Sequence, residues 1–185
     1  MKLSKLLITG LVLICSFNSN SQEYRHGLGL QYNLALFKDS YGFSGAGVPG
    51  AVYKGSLGFD ISRDVHISIS TYPFIGLFFN SQSGGYFGAE LPLLCELGFG
   101  DLDDVHGFFG AGGTMAFVGA SGGGAGAIVG PQFDLGMQFP FRDRLLSIKL
   151  AYTIGLNSRN PGAVDPLLLD KRSMYSLGII YMFGN

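Results

Sequence analysis

From residue 27 onward, segments of the chain carry large apolar residues at every second position. Over residues 27–37 one face reads Leu28, Leu30, Tyr32, Leu34 and Leu36, and the other reads Gly27, Gly29, Gln31, Asn33 and Ala35. A period of two marks a strand with two unlike faces. The same alternation returns over residues 53–61, 65–70, 87–98, 109–117, 129–139, 146–154 and 175–183. Eight strands are therefore predicted.

The connections alternate as well. Those at 62–64, 100–106 and 140–144 are short and charged. Those at 38–50, 76–85, 118–126 and 157–172 are longer and rich in Gly, Ser, Asn and Pro. An even-numbered meander with short turns at one end and long loops at the other predicts an all-β, eight-stranded, antiparallel up-and-down transmembrane barrel. Pro73, Pro92 and Pro131 fall inside the predicted strands. A closed barrel has no free edge for proline, so a bulge or strand end is expected at each.

The two faces differ in composition, and this decides which one points outward. One face is almost wholly large and apolar; the other is small or polar. Hydrophobic residues make up 47% of the chain and charged residues only 14%, well below the roughly 25% of an average soluble domain. With the apolar face inside, the outside would be Gly, Ser, Thr and Ala with few charges, a poor surface in water. Placed against lipid, the apolar face is solvated and the closed ladder satisfies every backbone group. Many of the 30 glycines then fall on the inner face, where eight strands leave room only for side chains. With no Trp in the chain, Tyr and Phe must supply the interfacial belt. Tyr24, Tyr53, Phe59, Phe99, Phe139 and Phe183 are placed for it near the short-turn end, and Phe37, Phe87 and Phe117 near the loop end.

Residues 1–21 read as a secretory signal, and residues 22–185 as the barrel. Lys2 and Lys5 precede the apolar run 6–14, and Ser19 and Ser21 stand at −3 and −1 of a cut before Gln22. A lipoprotein cut before Cys15 would put bulky Ile14 where such signals want Gly or Ala. Loss of Lys2 and Lys5 from the 12 basic groups leaves ten against 13 acidic ones, which excludes a nucleic-acid partner. One cysteine remains in the mature chain, Cys95, expected on the lipid face.

Tyr175, Leu177, Ile179, Tyr181 and Phe183 form an alternating last strand that ends in an aromatic and is followed by Gly184–Asn185. It resembles the signal read by the barrel-insertion machinery. Across residues 27–183 the chain resembles the small eight-stranded outer-membrane barrels of the OmpX and OmpA type, and the segment NSNSQ resembles signal ends of exported Bacteroidetes proteins. The resemblance implies a bacterial outer-membrane location, with outer-membrane lipid and the insertion machinery as partners. The activities such barrels carry are diverse, and fold does not choose among them.

Candidate chemistry is sparse. Lys54, Asp60, His66, Glu90, Glu96, Asp134 and Lys149 occupy inward positions, and charges in a narrow lumen must be paired. A hairpin closing on Phe141–Arg142 would set Asp134 opposite Lys149, and one closing on Arg63 would set Asp60 opposite His66. The main reading is a salt-bridged plug, with a structural or surface-interaction role left to the external loops. A narrow, porin-like path for ions or small solutes is the alternative. A third reading takes His66 and Ser68 as the His-x-Ser pair of an outer-membrane lipid hydrolase, with Asp60 orienting the base. The glycine-rich segment 118–126 lacks the Lys-Ser/Thr of a phosphate loop and is expected to be an external loop. Leu167, Leu168 and Leu169, flanked by charges, form a candidate loop contact site for a surface partner. No His/Cys cluster has metal-ligand spacing, and no cofactor is expected.

Overall fold

The computed structural model describes residues 22–39, 42–62, 64–80, 84–100, 104–120, 124–156 and 171–183. The regular elements are nine strands: β1 (Gln22–Asp39), β2 (Gly42–Ser62), β3 (Val65–Thr71), β4 (Phe74–Asn80), β5 (Gly84–Phe99), β6 (His106–Ala120), β7 (Gly124–Phe141), β8 (Arg144–Ile154) and β9 (Lys171–Met182). Neighbours pair antiparallel, and β1 pairs with both β2 and β9, so the sheet closes on itself. β3 and β4 are two halves of one wall strand, because both lie between β2 and β5. The molecule is an eight-stranded antiparallel up-and-down transmembrane β-barrel.

Its pitch can be read from one rung of cross-strand partners. Arg25 faces Ser56, Ser56 faces Ser70, Ser70 faces Leu94, and Leu94 faces Gly112. The rung continues through Gln132, Thr153 and Met174 and returns to β1 at Ala35. It left at Arg25, so the stagger is ten residues. Eight strands with that stagger tilt by about 40°, and the rung climbs from the end that holds the β1 start toward the opposite rim.

Pro73 stands at a strand break as expected, whereas Pro92 and Pro131 lie inside β5 and β7. β3 and β4 are separated at Tyr72–Pro73, yet the register to β5 is unchanged across the gap: Thr71 faces Leu93 and Phe74 faces Glu90. Continuing that register puts Pro92 opposite Tyr72, so two residues lacking an N–H share one opening in the ladder. The carbonyls there are still used. Tyr53 N–H donates to the Pro73 carbonyl at 3.0 Å, and the Thr71 hydroxyl donates to the Pro92 carbonyl at 2.7 Å. β5 and β7 run through Pro92 and Pro131 without a register shift toward β6. Pro131 lies just beyond Gln132, where the β7–β8 pairs end. The irregularity toward β3 lies instead between Asp60 and Ser62.

Three predicted loops are largely strand. Segment 76–85 contains most of β4, segment 38–50 contains the start of β2, and in 118–126 the β6–β7 ladder runs on to Ala120–Gly124. The external-loop reading of 118–126 is thus corrected. Two-residue alternation is weak in FIGLFFN and GAGVPG, but backbone pairing does not need it. Strands of 15 to 21 residues such as β6 and β2 exceed the roughly 9–11 that cross a bilayer, so the wall projects past the membrane.

The outer face is apolar: Leu30, Phe79 and Leu135 are 74%, 77% and 60% exposed. Cys95 is exposed on this same face. The interior departs from the simple expectation of small and polar residues. Val48, Val52, Phe74, Leu94, Ile128 and Met174 are buried inside it. The barrel is therefore filled by an apolar cluster as well as by a polar network.

Candidate functional site

The polar network is built by inward positions of β2, β3, β5, β7 and β8. Lys54, His66, Glu90, Glu96, Asp134 and Lys149 are all buried, whereas Asp60 at the strand end is exposed. Glu96 is the hub. Its Oε2 accepts from Ser70 Oγ at 2.7 Å, Ser68 Oγ at 3.3 Å and Lys54 Nζ at 3.4 Å. Its Oε1 accepts from the Tyr72 hydroxyl. Tyr72 enters the lumen because the alternation of faces continues unbroken from Ser68 and Ser70 through the gap to Phe74.

Aromatic rings complete the cage. Lys54 Nζ lies 4.6 Å from the Phe108 ring centre and 5.1 Å from that of Tyr72. Lys149 Nζ also lies over the Tyr72 ring, at 3.6 Å from its centre. A cation over a ring face is attracted by the ring's quadrupole, more so when desolvated. Sequence reading missed Tyr72 and Phe108, which stand outside the predicted strands or at the edge of one. The signal that could have found them is that a buried lysine needs more than one partner.

Asp134 and Lys149 do not face each other. The β7–β8 hairpin closes on Arg142–Asp143, with Phe141 facing Arg144, so Asp134 pairs with Ala151 and Lys149 with Gly136. Arg142 holds a φ of 60°, a turn conformation that favours Asn or Gly, and this hid the turn from sequence. Among the described residues, both Asp134 carboxylate oxygens and Lys149 Nζ have no hydrogen-bond partner. Glu90 Oε2 accepts from Asn33 Nδ2 at 2.8 Å and Gln31 Nε2 at 3.0 Å. This second cluster stands beyond the hub, on the way to the apolar group.

Asp60 does face His66 across the β2–β3 pair. His66 packs edge-on against His106, ring centres 5.2 Å apart. Ser68 Oγ is engaged with Glu96 and with Ser70 Oγ at 3.2 Å. Among the described residues no hydrogen bond joins His66 to Ser68, and a serine donating to a buried carboxylate is not poised as a nucleophile. A small cavity of about 30 Å³ lies at this end of the lumen, between Arg25, His66, Glu96, His106 and Gln138. It has room for a water or two.

Above the hub, the lumen is closed by Ala35, Val48, Phe74, Ala116, Val118 and Ile128, all buried. What the arrangement can do chemically follows from this order. Polar groups reach the lumen from one rim, meet an ion pair, and end against packed hydrocarbon. The expected signal, residues 1–21, and the Leu167, Leu168 and Leu169 site lie outside the described residues.

No protein-family model matches the chain, and no curated protein is similar to it. Solved structures that resemble it include the following three. Ail, the attachment invasion locus protein of Yersinia pestis, is 16% identical, with 87% of this chain and 99% of that chain covered at a TM-score of 0.48. Neisserial surface protein A is 15% identical, with 85% and 97% covered at 0.47. The N-terminal β-barrel domain of Pseudomonas aeruginosa OprF is 15% identical, with 88% and 98% covered at 0.47.

Proposed function

We propose that this chain is a bacterial outer-membrane barrel whose interior serves stability, and whose role is structural or one of surface interaction at its outer rim and external loops. One observation carries the reading. The lumen is packed at two levels, by the Lys54–Glu96–Tyr72 network and by the apolar group around Val48, Phe74 and Ile128. A solute path would have to displace both, and eight strands leave little spare radius. The strand ends that project past the bilayer, with Phe79 and Leu77 largely exposed, supply a surface for a partner. The attachment role named for the Yersinia protein is in keeping with this reading.

A pore is the second reading, favoured by the buried charges Asp134 and Lys149, which have no hydrogen-bond partner among the described residues of the lumen. Planar-bilayer conductance separates the two. The sample is refolded mature protein that shows the gel-mobility shift on heating typical of a closed barrel. The proposal expects no current steps. Steady, salt-dependent steps that change with Lys149→Ala would overturn it in favour of the pore.

A further inference from the structure

Histidine, lysine, arginine, aspartate and glutamate side chains are scarce on the lipid side of this wall. Of those whose surroundings are described, only His26 and Arg144 occupy outward strand positions. They are joined through one neighbour. Arg144 Nη1 donates to the Phe183 carbonyl at 2.8 Å, and Phe183 N–H donates to the His26 carbonyl at 2.7 Å. His26 in turn faces Gly55 on β2. The four residues make one rung across β8, the end of β9, β1 and β2, where the two ends of the barrel sheet meet.

Polar groups gather over the upper part of that rung. The Tyr24 and Tyr53 hydroxyls are 2.7 Å apart, and the Tyr24 ring stacks on His26 with centres 5.6 Å apart. Gly55 leaves the space they use: a Cβ there would stand 3.1 Å from the Tyr53 ring and 3.7 Å from the Tyr24 hydroxyl. The rung is also inclined. At a tilt of about 40° and a strand spacing of about 4.8 Å it climbs roughly 3 Å per strand. His26 is thus about 6 Å nearer the membrane centre than Arg144, a drop that matches an interfacial layer of about 5–8 Å.

We propose that this rung seats one phosphodiester lipid of the periplasmic leaflet. Arg144, at the β7–β8 turn, takes the phosphate. Only one of its N–H donors is given to Phe183, and the planar guanidinium suits a phosphate's paired oxygens. The tyrosine hydroxyls and His26, one layer deeper, meet the ester oxygens, and Phe183 packs beside the glycerol. The inference rests on the outer-membrane reading, since it needs the short turns at the lipid–water boundary.

The test is native mass spectrometry of mature protein extracted gently from phosphatidylglycerol–phosphatidylcholine vesicles. One retained phosphatidylglycerol is expected. Arg144→Ala should lower its retention about tenfold, Arg144→Lys less, and Tyr53→Phe severalfold. Arg142→Ala should not change it, although Arg142 is an exposed arginine of the same turn with its guanidinium over the Phe141 ring. Equal losses from Arg142→Ala and Arg144→Ala would mean unspecific charge attraction and overturn the site. Retention unmoved by Arg144→Ala and Tyr53→Phe would overturn it too. Displacement by millimolar inorganic phosphate would show an anion site without lipid selectivity, which also refutes the lipid assignment. Failure of the unaltered chain to insert into the vesicles would sink the membrane reading instead, and the gel shift on heating reports that separately.

Discussion

Replacing Glu96 by alanine removes the acceptor of four donors at once. Lys54 Nζ, 2% exposed in side-chain terms, keeps its charge and loses its nearest counter-ion. Breaking a buried ion pair from one side costs about 3–5 kcal/mol. The lower end applies here, because Lys54 retains the Phe108 and Tyr72 rings, worth about 1–2 kcal/mol when desolvated. Ser68 and Ser70 can turn to each other across 3.2 Å, but the Tyr72 hydroxyl is left buried without an acceptor. The expected loss for Glu96→Ala is about 3 kcal/mol. Removing both charges with Lys54→Met and Glu96→Leu should cost only about 1–2 kcal/mol, chiefly the Tyr72 hydroxyl. Adding Tyr72→Phe should recover most of that. The assay is urea unfolding in phospholipid vesicles. With no Trp in the chain, it is followed by circular dichroism and by gel mobility. The reasoning fails if Glu96→Ala stays within about 1 kcal/mol of the parent, or if the triple variant is no more stable than the single one.

Further outcomes follow from the packing. Leu30→Arg, at a 74% exposed position of β1, should lose about 2–4 kcal/mol in vesicles because the charge meets hydrocarbon; a neutral result would contradict the lipid-facing assignment. Gly29→Ala should prevent or badly slow closure of β1 on β9, since its Cβ would stand 2.0 Å from the Ile179 carbonyl oxygen. Gly113→Ala, with nothing within 4 Å, should fold like the parent on the same heat-shift gel. Gly98→Ala would place its Cβ 1.8 Å from His66 Nε2, so the imidazole must swing aside. A loss of about 1–3 kcal/mol is expected, together with a shifted His66 ring signal in the NMR spectrum.

The alternation of side chains made the fold legible, because a bilayer rewards a strict two-residue period on every strand. It placed Leu28 to Leu36 outside and Lys149 and Glu96 inside without any knowledge of pairing. Three things were hidden. β4 was hidden because Phe78 and Phe79 are adjacent, so the period is lost where the strand leaves the hydrocarbon. The Asp134–Lys149 offset was hidden because the hairpin turns on Arg142–Asp143 rather than on a recognisable glycine turn. The apolar interior was hidden because Leu94 and Phe108 sit beside outward apolar residues and read as one run. Of the candidate site, the charged residues were readable but their partners were not. Which hydroxyl or ring reaches Lys54 depends on the ten-residue stagger, which no single strand carries.

The central charges also have a consequence for assembly. Lys54, Glu90, Glu96, Asp134 and Lys149 are spread over β2, β5, β7 and β8. A strand that slipped by one residue during closure would turn its charge into the membrane, at about 2–4 kcal/mol for a lysine at mid-depth. Those four strands each carry their own proofreading mark, legible only to hydrocarbon. β9 has no such mark in its central stretch, where Met174, Ile180 and Met182 fill the lumen. It must take its alignment from β8 and β1 on either side. β9, like the centre of β6, is therefore a strand whose position is checked by its neighbours rather than by itself.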